Sequence, residues 1–594
     1  METAATRNKK QSRLCVLNAI EAKLDFDDRM EQCYDMVESR IRDLSETERH
    51  EALIALVSSE EKKHEDVSLG LLYGVLVNSK ARAQMFYREL THITNDGWNI
   101  TLTHVNFMLV EWFHKLKPTV KEQMLWFLSE AVRNGVPNMD NVLTHALRNV
   151  KIGDISADNI KLGESLLLML QEQNDWLVNC KPKSVLVPTL IFTYLRHICD
   201  LNQPSMDSVR QREARITSWL IREKFQECLV IGRDFVRLLI MTAKIPEISR
   251  LWQDILNSPN SLSPQFSGVA ELLNMRTSKR FVHNRIPTVL EREIVFLLRE
   301  IKFGKHEKHW DWFMRKHMLK PESCSIRSEL IRFILCTAVD FAPDNVRRWQ
   351  ILFWLMQGQM PPVDSQYCKL ALVLDWLFFD SSNPKENYPL IEPVYSLLSN
   401  SLKTQPALTN SILDFLCRSV VELYPPLRSK MRASVVAGFR CCVGGATVPL
   451  LCSTKLDKKL RQQLAEFFPE LCTGARGAPP APAPAPAAIS VLPPPVPEPP
   501  IPVEVIKEEL DSSLLEPSGA FSDEETDEGS REGSDVKKSK VLLGRQSRPR
   551  DRDRASPAPV PDRPSSPTAT FLSMDLEEDE EEEEGEGEEE QLLD

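Results

Sequence analysis

Nowhere in the 594 residues do about eighteen apolar residues run together, so no membrane-spanning helix is expected. The strongest apolar stretch, Leu370 to Leu374, is broken by Asp375 before Trp376 to Phe379. The opening residues METAATRNKKQSR lack the apolar centre of a signal peptide. Strict two-residue alternation of apolar and polar positions is nearly missing, which argues against a sheet. Also missing are C-x-x-C and H-E-x-x-H, the spacings with which cysteine and histidine commonly hold zinc. The thirteen cysteines are odd in number and irregularly spaced, so they fit buried, reduced thiols of the cytosol or nucleus better than a disulfide framework.

The chain has no G-x-x-x-x-G-K-[ST] loop, no strand-led G-x-G-x-x-G and no G-x-S-x-G elbow. Its one glycine pair, Gly444-Gly445, reads as a turn. His306, His309 and His317 could lie along one side of a helix. Lys305, Lys308, Arg315 and Lys316 would repel a dication there, so no metal is assigned. Paired carboxylates at helical spacing read as solvated faces. No enzyme, cofactor or catalytic residue is expected.

What is present is unevenly distributed. All eleven tryptophans lie between Trp98 and Trp376, whereas nineteen of forty prolines lie between Ala475 and Met574. Bulky apolar side chains supply most of the free energy that offsets chain ordering, so the two parts cannot behave alike. The net charge of −12 divides in the same way. Asp575–Asp594 contributes −14 and Ala475–Met574 contributes −4, which leaves residues 1–474 at +6. That is only mildly basic for a segment of this size. Four regions are expected: a disordered N-terminus over 1–24, a helical scaffold over 25–474, a proline-rich, mixed-charge disordered linker over 475–574, and an acidic tail over 575–594.

Helical periodicity dominates the second region. Pro118 opens one helix, with Val120, Met124, Phe127, Leu128 and Ala131 as its apolar stripe, and Gly135 closes it. Pro406 opens another, with Ile412, Phe415, Leu416, Val420 and Leu423 as the stripe and Pro425-Pro426 as the stop. Ser45-Glu46-Thr47-Glu48 reads as a capping box. Pro246, Pro264, Pro287, Pro321, Pro343, Pro361-Pro362 and Pro389 punctuate the rest. The fold class is therefore all-α, an α-solenoid of stacked helical hairpins of the HEAT or armadillo kind. Separate helical bundles would give a similar pattern, because no fixed repeat period is visible.

Two basic stretches combine charge with aromatics: Arg276, Lys279, Arg280 and Arg285 around Phe281, and Arg347 and Arg348 beside Trp349. Such patches can contact phosphates or a partner and stack bases. The same residues also fit core aromatics flanked by exposed arginines. Ser522, followed by Asp523, Glu524 and Glu525, is a candidate site for an acidophilic kinase. Lys537, Lys538, Lys540 and the run Arg545 to Arg554 form a candidate nuclear import signal, which makes the nucleus the expected location and the cytosol the alternative.

Several stretches resemble one known family. They are Trp252 to Phe266, ending Leu-Ser-Pro-Gln-Phe; Arg276 to Phe281; Lys302-Phe303-Gly304 with Asp311-Trp312-Phe313; and Lys369 to Phe379. Leu413 to Arg418, Tyr424 to Leu427, Lys455 to Lys458, Phe468-Pro469-Glu470, Gly232-Arg233-Asp234 and Ala520 to Glu525 extend the similarity. Together they resemble subunit 3 of the Integrator complex, which is also a component of the SOSS single-stranded-DNA sensor complex. The resemblance implies a non-catalytic helical scaffold that joins an OB-fold single-stranded-DNA-binding protein to a small SOSS subunit, and so meets single-stranded DNA indirectly. It further implies a link to other Integrator subunits, small nuclear RNA 3′ processing, transcription termination and the DNA damage response. After the linker the family continues into a second helical domain, whereas here a basic stretch and an acidic run follow, as expected of a shortened paralogue or isoform. The alternative reading is a helical protein that binds nucleic acid directly through its own basic patches.

Overall fold

A computed structural model of the chain describes residues 11–17, 24–59, 61–94, 98–180, 184–281, 283–318, 324–337, 345–358, 360–444 and 448–472. The chain divides into two units, Met1–Pro484 and Ala485–Asp594, and every described residue lies in the first. The linker, the acidic tail, Ser522 and the import signal lie outside the described residues, as do Pro321 and Pro343.

The described residues form twenty-five α-helices and no strand; the only β pairings among them are isolated bridges between Cys15 and Leu116 and between Lys302 and Asn345. The fold is all-α, as the periodicity requires. Pro118–Arg133 forms a helix, with Val120, Met124, Phe127, Leu128 and Ala131 all buried and Gly135 at φ +68° after its end. Pro406–Glu422 forms another. There Leu413 and Cys417 are buried with Ile412, Leu416 and Val420, while Phe415 and Leu423 remain half-buried at the edge of the stripe.

Two local expectations need correction. At Ser45 only half of the capping box forms: the Glu48 carboxylate accepts from the Ser45 N–H at 2.9 Å and from the Ser45 hydroxyl at 2.7 Å. Pro389 does not punctuate; it lies with Pro393 inside one helix, Pro384–Thr404. Burial of Ile391, Val394, Leu397 and Leu398 along that helix outweighs the backbone bonds the two prolines remove.

Helices pack mainly on neighbours one or two steps along the chain. Glu61–Val77 lies among Asp25–Ile41, Glu46–Ser59 and Lys80–Ile93. A Cβ on its Gly70 would stand 2.5 Å from the Cys33 carbonyl oxygen, so the close approach to the first helix depends on glycine. Leu186–Asp200 is buried along almost its whole length and touches Met139–Leu147, Asp207–Glu223, Arg233–Thr242 and Cys324–Cys336. Pro362–Leu377 meets Cys324–Cys336, Pro384–Thr404, Pro406–Glu422 and Arg428–Val443, and its Trp376 Nε1 donates to the Val435 carbonyl at 3.2 Å. One continuous apolar core runs from Leu14 to Leu471, which a set of separate bundles would not have.

The N-terminus departs from the expected disorder over residues 11–17. Leu14 and Cys15 are buried, the Val16 N–H donates to the Lys115 carbonyl at 2.8 Å, and the Lys117 N–H donates to the Leu14 carbonyl at 2.9 Å. A short apolar segment with no helical period carries little sequence signal, and its order comes from the surface that receives it.

Candidate functional site: a basic cleft above a buried ion cluster

The site is built on Gly232-Arg233-Asp234, the start of the Arg233–Thr242 helix. Gly232 has φ +62° and ψ −140°, and a Cβ there would lie 2.7 Å from the Met275 carbonyl oxygen. The close approach lets the Arg233 N–H donate to that carbonyl at 2.9 Å, which fastens the 275–277 segment to the helix start.

Asp234 is fully buried and gathers three guanidiniums. Its carboxylate accepts from Arg237 Nε at 2.8 Å, from Arg332 Nε at 3.1 Å, from Arg285, and from the Thr277 hydroxyl at 2.8 Å. Arg332 continues to Asp375 at 2.7 Å, Arg233 reaches Asp375 at 3.2 Å, and Arg237 pairs with Glu329. Burial by itself would raise the Asp234 carboxyl, but Arg285, Arg332 and Arg237 outweigh it and hold that group well below the ordinary carboxylate range. The same opposition, with Arg332 and Arg233 as the cations, lowers Asp375. Four segments distant in sequence thus share one network of mutually dependent charges.

Above this cluster a cleft of about 500 Å³ opens to solvent, lined among others by Arg276, Lys430, Asn274, Asp380, Asn383 and Asn387. Its floor is Arg233, whose guanidinium lies 5.2 Å over the Phe378 ring. Burial lowers Arg233; Asp375 opposes that, while Arg332 and Arg276 deepen it. Lys430 Nζ donates to Asn274 Oδ1 at 2.7 Å across the rim. Asp380 is occupied by Ser382, which donates from its hydroxyl at 2.7 Å and from its N–H at 2.9 Å. Cations and side-chain amides therefore face the opening, and the one acid is partly satisfied by its own turn. This chemistry suits an anionic or polar partner group.

The residues singled out in the sequence are dispersed. Arg276 is half-buried in the cleft and Lys279 is exposed, while the side chain of Arg280 lies outside the described residues. Arg285 is fully buried against Asp234, so its charge belongs to the interior and cannot meet a phosphate. Phe281 is core, stacked on Phe192 with centroids 6.2 Å apart. Arg348 is buried as well and donates to the Leu335 carbonyl at 3.2 Å, at the end of the Cys324–Cys336 helix. Arg347 is half-buried where the Arg348–Met356 helix begins. Among the described side chains the expected patches therefore shrink to Arg276, Lys279 and Arg347. Sequence reasoning missed Arg233, Lys430, Asp234, Glu329 and Arg332; the signal available was charge placed on apolar helix faces, as with Asp375 inside its apolar run.

The three histidines have separate partners: His306 stacks on Trp354, His309 meets Phe296, and His317 Nε2 lies 2.7 Å from Glu293. Among the described residues no group of three or more His, Cys, Asp or Glu side chains could hold a metal ion, and no helix is long and apolar enough to cross a membrane.

Residues 62–466 match the family described as Integrator complex subunit 3 N-terminal. The chain belongs to the Integrator complex subunit 3 family. It is 37% identical to Integrator complex subunit 3 of Danio rerio over 482 residues, covering 80% of this chain and 47% of that protein. It is 38% identical to the Homo sapiens subunit over 472 residues, with 78% and 45% covered. The Drosophila mojavensis homolog is 36% identical over 476 residues, with 79% and 44% covered. The chain thus spans about half the length of the curated relatives it matches. The Integrator subunit 3 match contains the whole ion cluster and the cleft and begins after the first two helices.

Proposed function

We propose that this chain is a non-catalytic scaffold subunit of Integrator and SOSS type. It assembles an OB-fold single-stranded-DNA-binding protein with a small SOSS subunit for the DNA damage response and repair. It also takes part with other Integrator subunits in small nuclear RNA 3′ processing and transcription termination. The observation that carries this reading is the family match over 62–466, which coincides with a continuous helical stack offering extended surfaces to partners. The cleft of Arg276 and Lys430 supports it as a place where an acidic or polar segment of a partner can be read by charge and amide groups. The tight strand binding then belongs to the partner's own groove and aromatics. The nucleus is the location this role requires.

The test is co-purification of the tagged full chain with the OB-fold protein and the small subunit, followed by retention of labelled single-stranded DNA with and without the OB-fold protein. The scaffold reading expects a stable assembly and strong retention only with that partner. Absence of any assembly, or equal retention without the partner, rejects it. Within that assay Arg276→Glu with Lys430→Glu is expected to weaken capture of a cleft-bound partner about tenfold.

A further inference from the structure

Phe303 is the most exposed large apolar side chain among the described residues, at 63%. It does not stand alone. Its ring stacks on His306 at 5.1 Å and 18°, His306 on Trp354 at 4.8 Å and 29°, Trp354 on Trp310 at 4.9 Å and 29°, and Trp310 on Phe313 at 5.3 Å and 15°. Five rings form one near-parallel ladder, buried at Phe313 and open to water at Phe303.

The open end is firmly held. Lys302 bridges to Asn345, the Val346 N–H donates to the Ile301 carbonyl at 3.0 Å, and the Gly304 N–H donates to His306 Nδ1 at 2.8 Å. Gly304 at φ +94° turns the chain so that nothing stands within 4 Å of where its Cβ would be. Lys302, Lys305 and Lys308, one, two and five positions from Phe303 in the sequence, are all exposed, and none makes an ion pair with a described residue. Among the exposed charges from Arg299 to Asp311, Arg299 and the three lysines outnumber Glu300, Glu307 and Asp311 by one, so the segment remains net positive.

A phenylalanine exposed to this degree forgoes a large part of the about 1.5–3 kcal/mol that full burial supplies, which calls for a reason. An aliphatic side chain of a protein partner would not require a ladder of parallel planes. A flat ring would, because each added plane extends the same stack. Lysines beside such a face supply the charge that a phosphodiester backbone needs.

We propose that Phe303 is a stacking platform for an unpaired base of a single-stranded nucleic acid, whose adjoining phosphates are met by Lys302, Lys305 and Lys308. This is a direct contact by the scaffold itself and does not depend on its partners. Arg285 and Arg348 take no part in it, because their burial removes them from such a role.

The test uses the full chain alone, without an OB-fold protein. Fluorescence anisotropy with a labelled strand of about 12 nucleotides at about 50 mM salt is the readout, with DNA and RNA arms of the same sequence. Phe303→Ala is expected to weaken binding about tenfold, and Phe303→Trp to retain it. Because Phe303 is exposed, both variants should keep the wild-type circular dichroism and melting temperature. On a strand of abasic residues with equal charge, wild type and Phe303→Ala should bind alike. Lys302→Gln with Lys305→Gln should reduce the slope of log affinity against log salt by about 1 to 1.5, whereas Phe303→Ala leaves the slope unchanged. Absence of binding to either strand overturns the proposal. So does equal binding by wild type and Phe303→Ala on the natural strand, or a Phe303→Ala effect confined to capture of a protein partner.

Discussion

Replacing Asp234 by asparagine would preserve shape and remove one charge from the centre of the ion cluster. Arg237, Arg285 and Arg332, each fully buried, would then share only Glu329 and Asp375. Removing one partner of a buried pair commonly costs about 3–5 kcal/mol, because the remaining charge is desolvated without compensation. With an unfolding entropy of about 2.1 cal/mol/K per residue, a helical unit of this length loses roughly 1 °C for each kcal/mol. Differential scanning calorimetry of the full chain should therefore show a melting temperature lower by about 3–5 °C, and by more if only the central helices unfold together. Asp234→Asn combined with Arg285→Met removes one charge of each sign and should recover part of the loss. The acid limb gives a second reading. The Asp234 carboxyl is held below its unfolded value, so its contribution is complete above about pH 4 and fades as pH falls further. The variant should differ least from wild type at the most acid pH at which both fold. A melting temperature within 1 °C of wild type at pH 7.5, or a double variant as damaged as the sum of its parts, would refute the view that the cluster is one coupled unit.

Gly232→Ala should lower stability by about 2–3 kcal/mol in denaturant titration, since it strains a positive φ and presses a Cβ toward the Met275 carbonyl; a neutral effect would contradict the close approach. Asp200 is buried, accepts from the Gly153 N–H at 2.7 Å, and is pushed up to about 6, chiefly by burial. An acid with a raised folded value binds its proton more tightly when folded, so its stabilising share declines as pH rises through about 4 to 6. Asp200→Asn should therefore improve relative to wild type by about 1 kcal/mol between pH 5 and pH 7.5, and a pH-independent difference would exclude this origin. Leu14→Ala should cost about 2–4 kcal/mol in the same titration despite its place near the chain start, and a cost below 0.5 kcal/mol would mean that residues 11–17 do not dock.

Helix existence was legible because proline and apolar spacing act locally. The stripe from Val120 to Ala131 needs only a period of 3.6 to be seen, and Pro118 fixes its start. The site was less legible for a physical reason visible at Arg285 and Arg276. Both are arginines beside apolar residues in one short stretch. Arg285 finds Asp234, 51 positions earlier, and becomes interior. Arg276 finds Phe378 and Lys430 across a cleft and faces solvent. Nothing within the stretch distinguishes them, because the deciding partners come from helices far along the chain. Pro389 misled because it is a helix breaker overruled by packing, and Phe303 is an aromatic that packing leaves outside without any local signal.

The sequence by itself determined the secondary structure, the class of fold and, through its long matching stretches, the family. These depend on short-range periodicity and on residue identity. Only the tertiary structure decided which charges are buried, where a cleft opens, and which ring of an aromatic ladder meets water. Those outcomes depend on groups that are distant in the chain and adjacent in space. Desolvation and Coulomb attraction act on that adjacency alone.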